Sequence, residues 1–458
     1  MPLKIISPYD QKPVCELPWD NSERLEKKIA AAREVYEGWH RMPLEDRATQ
    51  VQRGLDRFRN ASETIARDLT RQMGKPIRQS RNEVKGFFER AEYMLAIAKE
   101  ALSPEILPQR EGFHRRIEHA PLGVVLNLAA FNYPLLISVN VVVPALLAGN
   151  TVLLKSSPKT PLCGEQIAEA FGDLDPPHLV AHLILTNSQT SRLVQDPRIN
   201  YVAFTGSVPV GKQLYHQASQ RIVDMGLELG GKDPAYVAGD ADLAFAAENV
   251  IDGACYNAGQ SCCAVERVYV HHTLYEPFLE RAKTILESYR MGDPMEEGTT
   301  LGPLANRATL GILEDQVKDA VRRGARLLLG GTRLKGTQGN FFPPTLLADI
   351  PNDAKVMQEE SFGPIVPVKS VADDDEALAC MNDSRYGLTA SVWTRSRERA
   401  ERFARELEVG TVYQNRCDYL DPSLPWSGAK ESGLGATLSK YGFYHLTRRK
   451  GIHFRTME

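Results

Sequence analysis

The sequence lacks an excess of charge of either sign. Its 55 Lys and Arg residues are balanced by 58 Asp and Glu residues, so the formal net charge is -3. This balance gives no electrostatic reason to expect a nucleic-acid partner. A long unbroken apolar run is also missing, because residues 135–154 are interrupted by asparagine, proline and glycine. The stretch predicts a buried helix followed by a strand, and we expect no membrane partner.

The first residues lack the marks of an export signal. They contain an early lysine but no apolar core and no small-residue cleavage site, so we expect a cytoplasmic protein. The seven cysteines are odd in number, widely spread and without C-x-x-C pairs. That pattern argues against a disulfide framework or a zinc ribbon. We expect free thiols and no metal site.

The order of apolar segments predicts an α/β protein. A chain of 458 residues exceeds what one core usually supports, so two large domains are expected. Residues 21–103 carry apolar side chains at helical spacing. Apolar strands then alternate with helices, and the alternation restarts near residue 230, which predicts two doubly wound parallel sheets. The C-terminal stretch ends in GIHFRTM, which could pair with an edge strand of another subunit.

A phosphate-binding turn is indicated by GSVPVGKQ, residues 206–213. The turn follows the strand-like YVAFTG and opens a helix, so its N–H groups and the positive end of the helix dipole favour an anion. It nearly matches a P-loop, but Gln213 lacks the hydroxyl that holds magnesium and Pro209 removes an N–H donor. A triphosphate hydrolase is therefore disfavoured. A turn without any ligand is the alternative.

Three short segments carry residues suited to acyl chemistry. Cys262 and Cys263 follow a polar turn in NAGQSCCAV, Asn132 ends a strand in FNYP, and Glu228 precedes two glycines in ELGGK. Each residue also has a structural interpretation. The cysteine pair can be buried filler, since free cysteine behaves as a small hydrophobe. The asparagine can be a helix cap, and the glutamate an ordinary surface carboxylate.

Taken together, six segments resemble the aldehyde dehydrogenase superfamily over nearly the whole chain. In chain order they are FNYP, FTGSVPVG, ELGGK, GQSC, EESFGP and PWSGAKESG. The resemblance implies that Cys262 is the nucleophile and Cys263 a packed neighbour. It also implies that Asn132 and the backbone N–H of Cys262 bind an oxyanion, and that Glu228 activates water.

The chemistry of an aldehyde oxidation suits this set of residues. A thiolate adds to the carbonyl carbon, hydride leaves, and a thioester remains on the cysteine. A general base then activates the water that hydrolyses it. Members that pass the acyl group to coenzyme A lack a glutamate at this place, so Glu228 favours a carboxylic acid product.

The resemblance also implies a domain plan and a dinucleotide site. An NAD(P)-binding domain is expected from residues 1–103 and 122–229, a catalytic domain from 230–430, and a small β oligomerisation element from 104–121 and 431–458. We expect a homodimer or homotetramer. NAD-preferring members often have a glutamate where this chain has Pro158, so NADP is expected to be accepted. The implied cofactor-binding residues are Lys155, Gly206, Ser207, Gly211, Glu360 and Phe362.

A substrate tunnel follows from the same resemblance. Tyr256 stands where relatives that bind succinic semialdehyde often have arginine, which speaks against that substrate and favours an apolar or aromatic aldehyde. Arg416 and Asp418 are expected near the mouth, which leaves charged substrates possible. Lys440 replaces a glutamate that assists proton transfer in some relatives. The implied tunnel residues are Tyr133, Ile137, Asn140, Tyr256 and Trp426.

Two other functions are weighed against this interpretation. A cofactor-independent cysteine esterase or acyl transferase would use Cys262 with Glu228, but it usually needs a histidine beside the thiol, and no segment suggests one. A non-catalytic binding protein on the same fold is the second alternative, because architecture alone does not assign function.

Overall fold

The computed structural model describes residues 1–172 and 174–457. Among these residues the strands are β1 Leu3–Ile6, β2 Pro13–Leu17, β3 Glu105–Ile106, β4 Phe113–Pro121, β5 Val124–Leu128, β6 Thr151–Lys155, β7 Val180–His182, β8 Tyr201–Thr205, β9 Asp224–Glu228, β10 Asp233–Val237, β11 Val265–His271, β12 Arg326–Leu329, β13 Thr345–Ala348, β14 Ile365–Val371, β15 Tyr386–Gly387, β16 Thr389–Trp393, β17 Thr411–Gln414, β18 Ala429–Lys430, β19 Gly433–Leu434 and β20 Thr447–Arg455.

The helices of the described residues are α1 Ser22–Trp39, α2 Leu44–Asn60, α3 Ser62–Met73, α4 Ile77–Leu102, α5 Pro134–Ala148, α6 Pro161–Gly172, α7 Asn187–Val194, α8 Val208–Ala218, α9 Leu243–Cys255, α10 Tyr275–Glu287, α11 Thr309–Arg322, α12 Lys355–Gln358, α13 Asp374–Asn382, α14 Arg397–Glu406 and α15 Ser439–His445. None of them is long and apolar enough to cross a membrane.

Two large sheets organise the molecule. The first has the strand order β19-β9-β8-β5-β6-β7 and is parallel except for β19. The second has the order β12-β13-β14-β11-β10-β16-β17 and is parallel except for β12. Central strands such as β5 and β10 are buried along their whole length, as expected when helices cover both faces of a parallel sheet. The expected pair of doubly wound sheets is present.

The orientation of the two sheets brings several loops together. Asn132, Lys155 and Glu228 lie at or just after the carboxyl ends of first-sheet strands. The loops before β10, β11 and β14 lie at the amino ends of second-sheet strands. In the first sheet the order of the strands reverses at β5: β6 and β7 are added on one side of it, and β8 and β9 on the other. In open α/β sheets this reversal is where ligands bind, outside the carboxyl ends of the strands.

A third sheet contains β20, β4 and β3. β20 pairs along its full length with β4, so the GIHFRTM segment finds its partner strand within its own chain. Its other edge has no strand partner among the described residues. The segment 431–446, expected to belong to this element, instead packs on the first sheet. There β19 pairs with β9, and α15 contacts α4 and α5.

The sequence patterns located most elements but missed some. Residues 21–103 are helical as expected, whereas the hairpin of β1 and β2 was not anticipated. The apolar segment HLILT, residues 182–186, lies mostly outside a strand, because β7 ends at His182. Asn132 does not end a strand, since β5 ends at Leu128 and the asparagine lies in the loop before α5.

Candidate active site

A cavity of about 670 Å³ contains the three predicted catalytic residues, Asn132, Glu228 and Cys262. Both large sheets contribute to it, because the first two residues come from the first sheet's carboxyl edge and the cysteine precedes β11. Arg416 and Asp418 also line it. The cavity contains every predicted tunnel residue: Tyr133, Ile137, Asn140, Tyr256 and Trp426.

The turn before Cys262 has an unusual backbone. Asn257, Ala258 and Gly259 have φ angles of 54°, 54° and 72°, all in the left-handed region. A Cβ on Gly259 would lie 2.4 Å from the carbonyl oxygen of Gly363. Only glycine therefore lets this turn approach the loop before β14. The strain of the two non-glycine residues is offset by buried hydrogen bonds.

Asn257 supplies some of those hydrogen bonds. Its side-chain amide donates to the carbonyl oxygens of Asn132, at 3.2 Å, and of Gln260, at 3.1 Å. Gln260 in turn donates to the carbonyl oxygen of Asn257 at 3.0 Å. The asparagine loop and the cysteine turn are thus held by one buried amide.

The asparagine loop is also held by a buried ion pair. Lys75 pairs with Glu83 and donates to the carbonyl oxygen of Asn132 at 2.9 Å. Glu83 accepts a hydrogen bond from the backbone N–H of Leu135 at 2.9 Å. Within the described chain, neither the side-chain amide of Asn132 nor the N–H of Cys262 donates a hydrogen bond. Both groups are free to bind an oxyanion.

Glu228 ends β9 and reaches the cavity between two hydroxyl groups. Its carboxylate accepts hydrogen bonds from Thr437, at 2.5 Å, and from Thr205, at 3.4 Å. Burial raises its pKa above the ordinary value, and these hydrogen bonds and the charge of Arg90 only partly oppose that effect. A carboxyl group with a raised pKa, held near a thiol, is suited to exchange protons with water.

Cys263 is less suited than Cys262 to act as the nucleophile. Its side chain is buried and donates to the carboxylate of Asp418 at 3.1 Å, which also accepts from Ser261 at 2.8 Å. Burial raises the pKa of Asp418 to about 7. Cys262 is more exposed to the cavity than Cys263. All seven cysteines are free thiols.

Four of the predicted dinucleotide residues lie at or after the carboxyl ends of first-sheet strands: Lys155 ends β6, and Gly206, Ser207 and Gly211 follow β8. Ser207 precedes α8 and makes no side-chain cap bond, so the helix N-terminus has N–H groups to offer an anion. Lys155 ends β6, forms no ion pair among the described residues, and has a pKa lowered by burial to about 8. These features fit a phosphate beside α8 and hydroxyl groups beside the lysine. Gly211 differs, because it is buried and a Cβ there would lie 2.6 Å from Leu229.

Glu360 and Phe362 lie on the loop before β14. Burial raises the pKa of Glu360 to about 8, and a Cβ on Gly230 would lie 2.5 Å from its carboxylate. Phe362 has a φ angle of 53° and packs edge-on against Phe131, with ring centroids 6.0 Å apart. The loop therefore meets both the ELGG segment and the asparagine loop.

The chain matches the model of the aldehyde dehydrogenase family over residues 1–452. It is 34% identical over 444 residues to the succinate semialdehyde dehydrogenase [NAD(P)+] Sad of Escherichia coli (strain K12). The match covers 96% of this chain and 95% of that protein. A succinate-semialdehyde dehydrogenase [NADP(+)] of Deinococcus radiodurans is 33% identical over 450 residues, with 98% and 94% covered. A solved aldehyde dehydrogenase from Brucella melitensis biovar abortus 2308 has a TM-score of 0.96 at 28% identity, with 100% of this chain and 95% of that one covered. The chain belongs to the aldehyde dehydrogenase family.

The resemblance drawn from the six segments is thereby confirmed, and so is the α/β fold class. As an aldehyde dehydrogenase the protein is an NAD(P)-dependent oxidoreductase that acts on an aldehyde. No histidine is among the described residues that line the cavity. A cysteine esterase that depends on a histidine base therefore finds no support.

Several cavity residues of this aldehyde dehydrogenase lie outside the six motifs. α4 contributes a row of them, because residues three or four positions apart share one helix face. Thr205 and Thr437 were not predicted as site residues, although the hydroxyl group of each donates a hydrogen bond to the carboxylate of Glu228. Lys440 is exposed on α15, with its ammonium 5.7 Å from the Tyr441 ring, and does not line the cavity. The α4 residues of the lining are Gln79, Asn82, Glu83, Lys85, Gly86, Glu89 and Arg90.

Proposed function

We propose that this enzyme oxidises its aldehyde to a carboxylic acid through a thioester on Cys262. The observation that carries the proposal is the meeting of three groups in one cavity: the half-buried thiol of Cys262, the unbonded donors of Asn132 and Cys262, and the Glu228 carboxylate. Acyl transfer through a cysteine needs these three functions: a nucleophile, an oxyanion site and a base.

The residues divide the reaction between them. The Cys262 thiolate forms a C–S bond with the aldehyde carbon, and the carbonyl oxygen becomes an oxyanion bound by Asn132 and the Cys262 N–H. Collapse of the oxyanion expels hydride from the same carbon and leaves a thioester. Glu228 then takes a proton from water as it attacks, the C–S bond breaks, and the acid leaves. One oxyanion donor is typically worth about 3 kcal/mol of transition-state stabilisation.

The dinucleotide is held, in this proposal, by Lys155, Gly206, Ser207, Glu360 and Phe362. When bound, its nicotinamide ring supplies the hydride acceptor. Gly211 supports the turn by packing against Leu229 and makes no direct contact with the ligand.

We further propose that NADP is accepted. Pro158 carries no charge that would repel a 2′-phosphate, and the exposed Lys159 follows the half-buried Lys155 by four positions in the chain. The Escherichia coli and Deinococcus radiodurans relatives are named for NAD(P)+ and NADP(+). Self-association through the free edge of β20 and a cytoplasmic location complete the proposal.

The test is to follow the acyl group. A Cys262→Ser variant should lose nearly all oxidation of an aldehyde panel while it still binds dinucleotide. A Glu228→Gln variant should accumulate an acyl group on Cys262, detected by mass spectrometry of a peptide digest. Cys263→Ser is the matched control. Full activity in Cys262→Ser, or an acyl group on Cys263, would overturn the assignment.

A further inference from the structure

Arg90 is a buried cation in the substrate cavity. It lies on α4, is 8% exposed, and lines the cavity that contains Cys262. One of its terminal nitrogens, Nη1, donates to the side-chain oxygen of Asn140 at 3.2 Å and more weakly to the carbonyl oxygen of Leu136 at 3.4 Å. Both acceptors are uncharged. These two bonds use few of the five N–H groups of a guanidinium.

Four of the five carboxylates that line the cavity are committed to other partners, and the fifth, Asp252, forms no ion pair among the described residues. Glu83 pairs with Lys75, Glu228 accepts from two threonine hydroxyls, and Asp418 accepts from Ser261 and Cys263. Glu89 accepts from the hydroxyl of Tyr419. Arg90 forms no ion pair with any carboxylate in the described parts of the chain.

A buried guanidinium without a direct ion pair is costly, although the charge of Arg90 also opposes the raised pKa of Glu228, and arginine keeps its charge at any working pH. Its planar fork matches a carboxylate through two parallel hydrogen bonds. An anion that enters the cavity would therefore gain both an ion pair and a relief of the desolvated charge. Asn140 and Leu136 fix the side of the guanidinium that faces α5, which leaves the other donors for such an anion.

We propose that Arg90 binds a carboxylate at the far end of the substrate, so that the preferred substrates are short ω-oxo carboxylic acids. The proposal rests on the proposed function, because it needs the aldehyde carbon at Cys262. It replaces the apolar or aromatic aldehyde expected from Tyr256. Tyr256 provides no cation at its own position, and Arg90 provides one from α4 instead.

The test compares ω-oxo acids of three to six carbons with n-alkanals of the same length. The wild-type enzyme should have a kcat/KM at least tenfold higher for its best oxo acid than for the matching alkanal. Arg90→Met should lower that ratio about 100-fold, the scale expected when one partner of a buried charge pair is removed. Arg90→Lys should recover part of the ratio. Arg78→Met makes the same change on an exposed part of α4 and should keep the wild-type ratio.

The outcomes separate this inference from the proposed function. Alkanals oxidised as well as oxo acids would overturn the role of Arg90 and leave the thioester mechanism standing. An equal loss for both substrate types in Arg90→Met, with a shifted pH profile, would show that Arg90 acts on Glu228 instead. Absence of any aldehyde oxidation by the wild-type enzyme would overturn the proposed function itself. A ratio that falls in Arg90→Met and not in Arg78→Met supports the inference.

Discussion

Two buried lysine–glutamate pairs hold different loops of the candidate active site. Lys75 pairs with Glu83 on the side of the first sheet, and Lys232 pairs with Glu266 on the side of the second. Both lysine side chains are 0% exposed. Each pair therefore carries a desolvation cost, which only good geometry and further hydrogen bonds can offset.

The difference lies in what each pair holds. The first binds the backbone at Asn132 and Leu135, and so fixes the loop that carries an oxyanion donor. In the second, Glu266 accepts from the N–H groups of Ser361 and Phe362, both at 2.8 Å, and Lys232 donates to the Ser361 hydroxyl. In the proposed assignment, one pair positions the substrate side of the site and the other the cofactor side. The comparison teaches that the motif loops depend on charges of which three, Lys75, Glu83 and Glu266, lie outside the six motifs, whereas Lys232 ends ELGGK.

The largest expected effect is the loss of stability when the lysine of either pair is removed. Lys75→Met or Lys232→Met leaves a buried carboxylate without its cation, so each should lower the free energy of unfolding by about 3–5 kcal/mol. Urea denaturation followed by fluorescence measures it. A Lys75→Met, Glu83→Leu double variant should regain much of the stability, because it removes both charges. A cost below about 1 kcal/mol in either single variant would contradict the view that these pairs are desolvated.

The next largest effect is expected for the Lys232–Glu266 pair alone, on the cofactor side. Glu266→Gln keeps the shape of the side chain but loses one charged acceptor for the loop that holds Phe362 in its left-handed conformation. Hydrogen bonds to charged groups contribute about 1.5–3 kcal/mol, so dinucleotide affinity should fall about 30-fold. Titration of reduced dinucleotide fluorescence measures the Kd. An unchanged Kd would show that the loop is held by its other contacts.

A smaller effect is expected for the Lys75–Glu83 pair alone, on the substrate side. Glu83→Gln loosens Lys75 and the Asn132 backbone without touching the thiol, so acylation of Cys262 should slow about tenfold, a fraction of what loss of the whole donor costs. Rapid-quench measurement of the acyl-enzyme gives that rate. Dinucleotide affinity should stay at its wild-type value, the reverse of Glu266→Gln. Glu100→Gln, on an exposed part of α4, is the matched control.

The sequence predicted the loops of this comparison but not the charges that hold them. The motifs were visible because glycines, a proline and reactive side chains lie within a few contiguous positions. Glu83 and Arg90 look like surface charges of an amphipathic helix, and helical periodicity does not tell which polar residues face a cavity. Gly86 between them was the available signal, since a Cβ there would lie 3.2 Å from Leu136 where α4 meets α5.

The pairing of the strands was predicted only in part for a related reason. Alternating strands and helices indicate a doubly wound sheet, because each strand is covered by its own crossover helix. Partners distant in the chain, such as β19 on β9 and β20 on β4, leave no local pattern. Thr437, which bonds Glu228, follows β19 and was missed for that reason.

The smallest effect uses Glu228, a carboxylate that has hydroxyl partners but no paired lysine. Burial raises its pKa in the folded enzyme, so the folded state holds the proton to a higher pH than the unfolded chain does. Stability is therefore lost as pH rises from the unfolded pKa to the folded one, and the loss is complete above both. Deacylation has the opposite dependence, because only the deprotonated carboxylate can accept a proton from water.

Glu228→Gln removes that charge and should raise the thermal midpoint at pH 8 by about 1 °C, a shift that corresponds to about 1 kcal/mol in a protein of this size. At pH 4 the gain should vanish, since the glutamate is then protonated in both states. Calorimetry at the two pH values measures it, with Glu83→Gln as the comparison. Because Glu83 is paired with Lys75, its neutralisation should lower the midpoint. A lower midpoint for Glu228→Gln at pH 8 would mean that Thr437 and Arg90 stabilise the Glu228 charge more than burial opposes it.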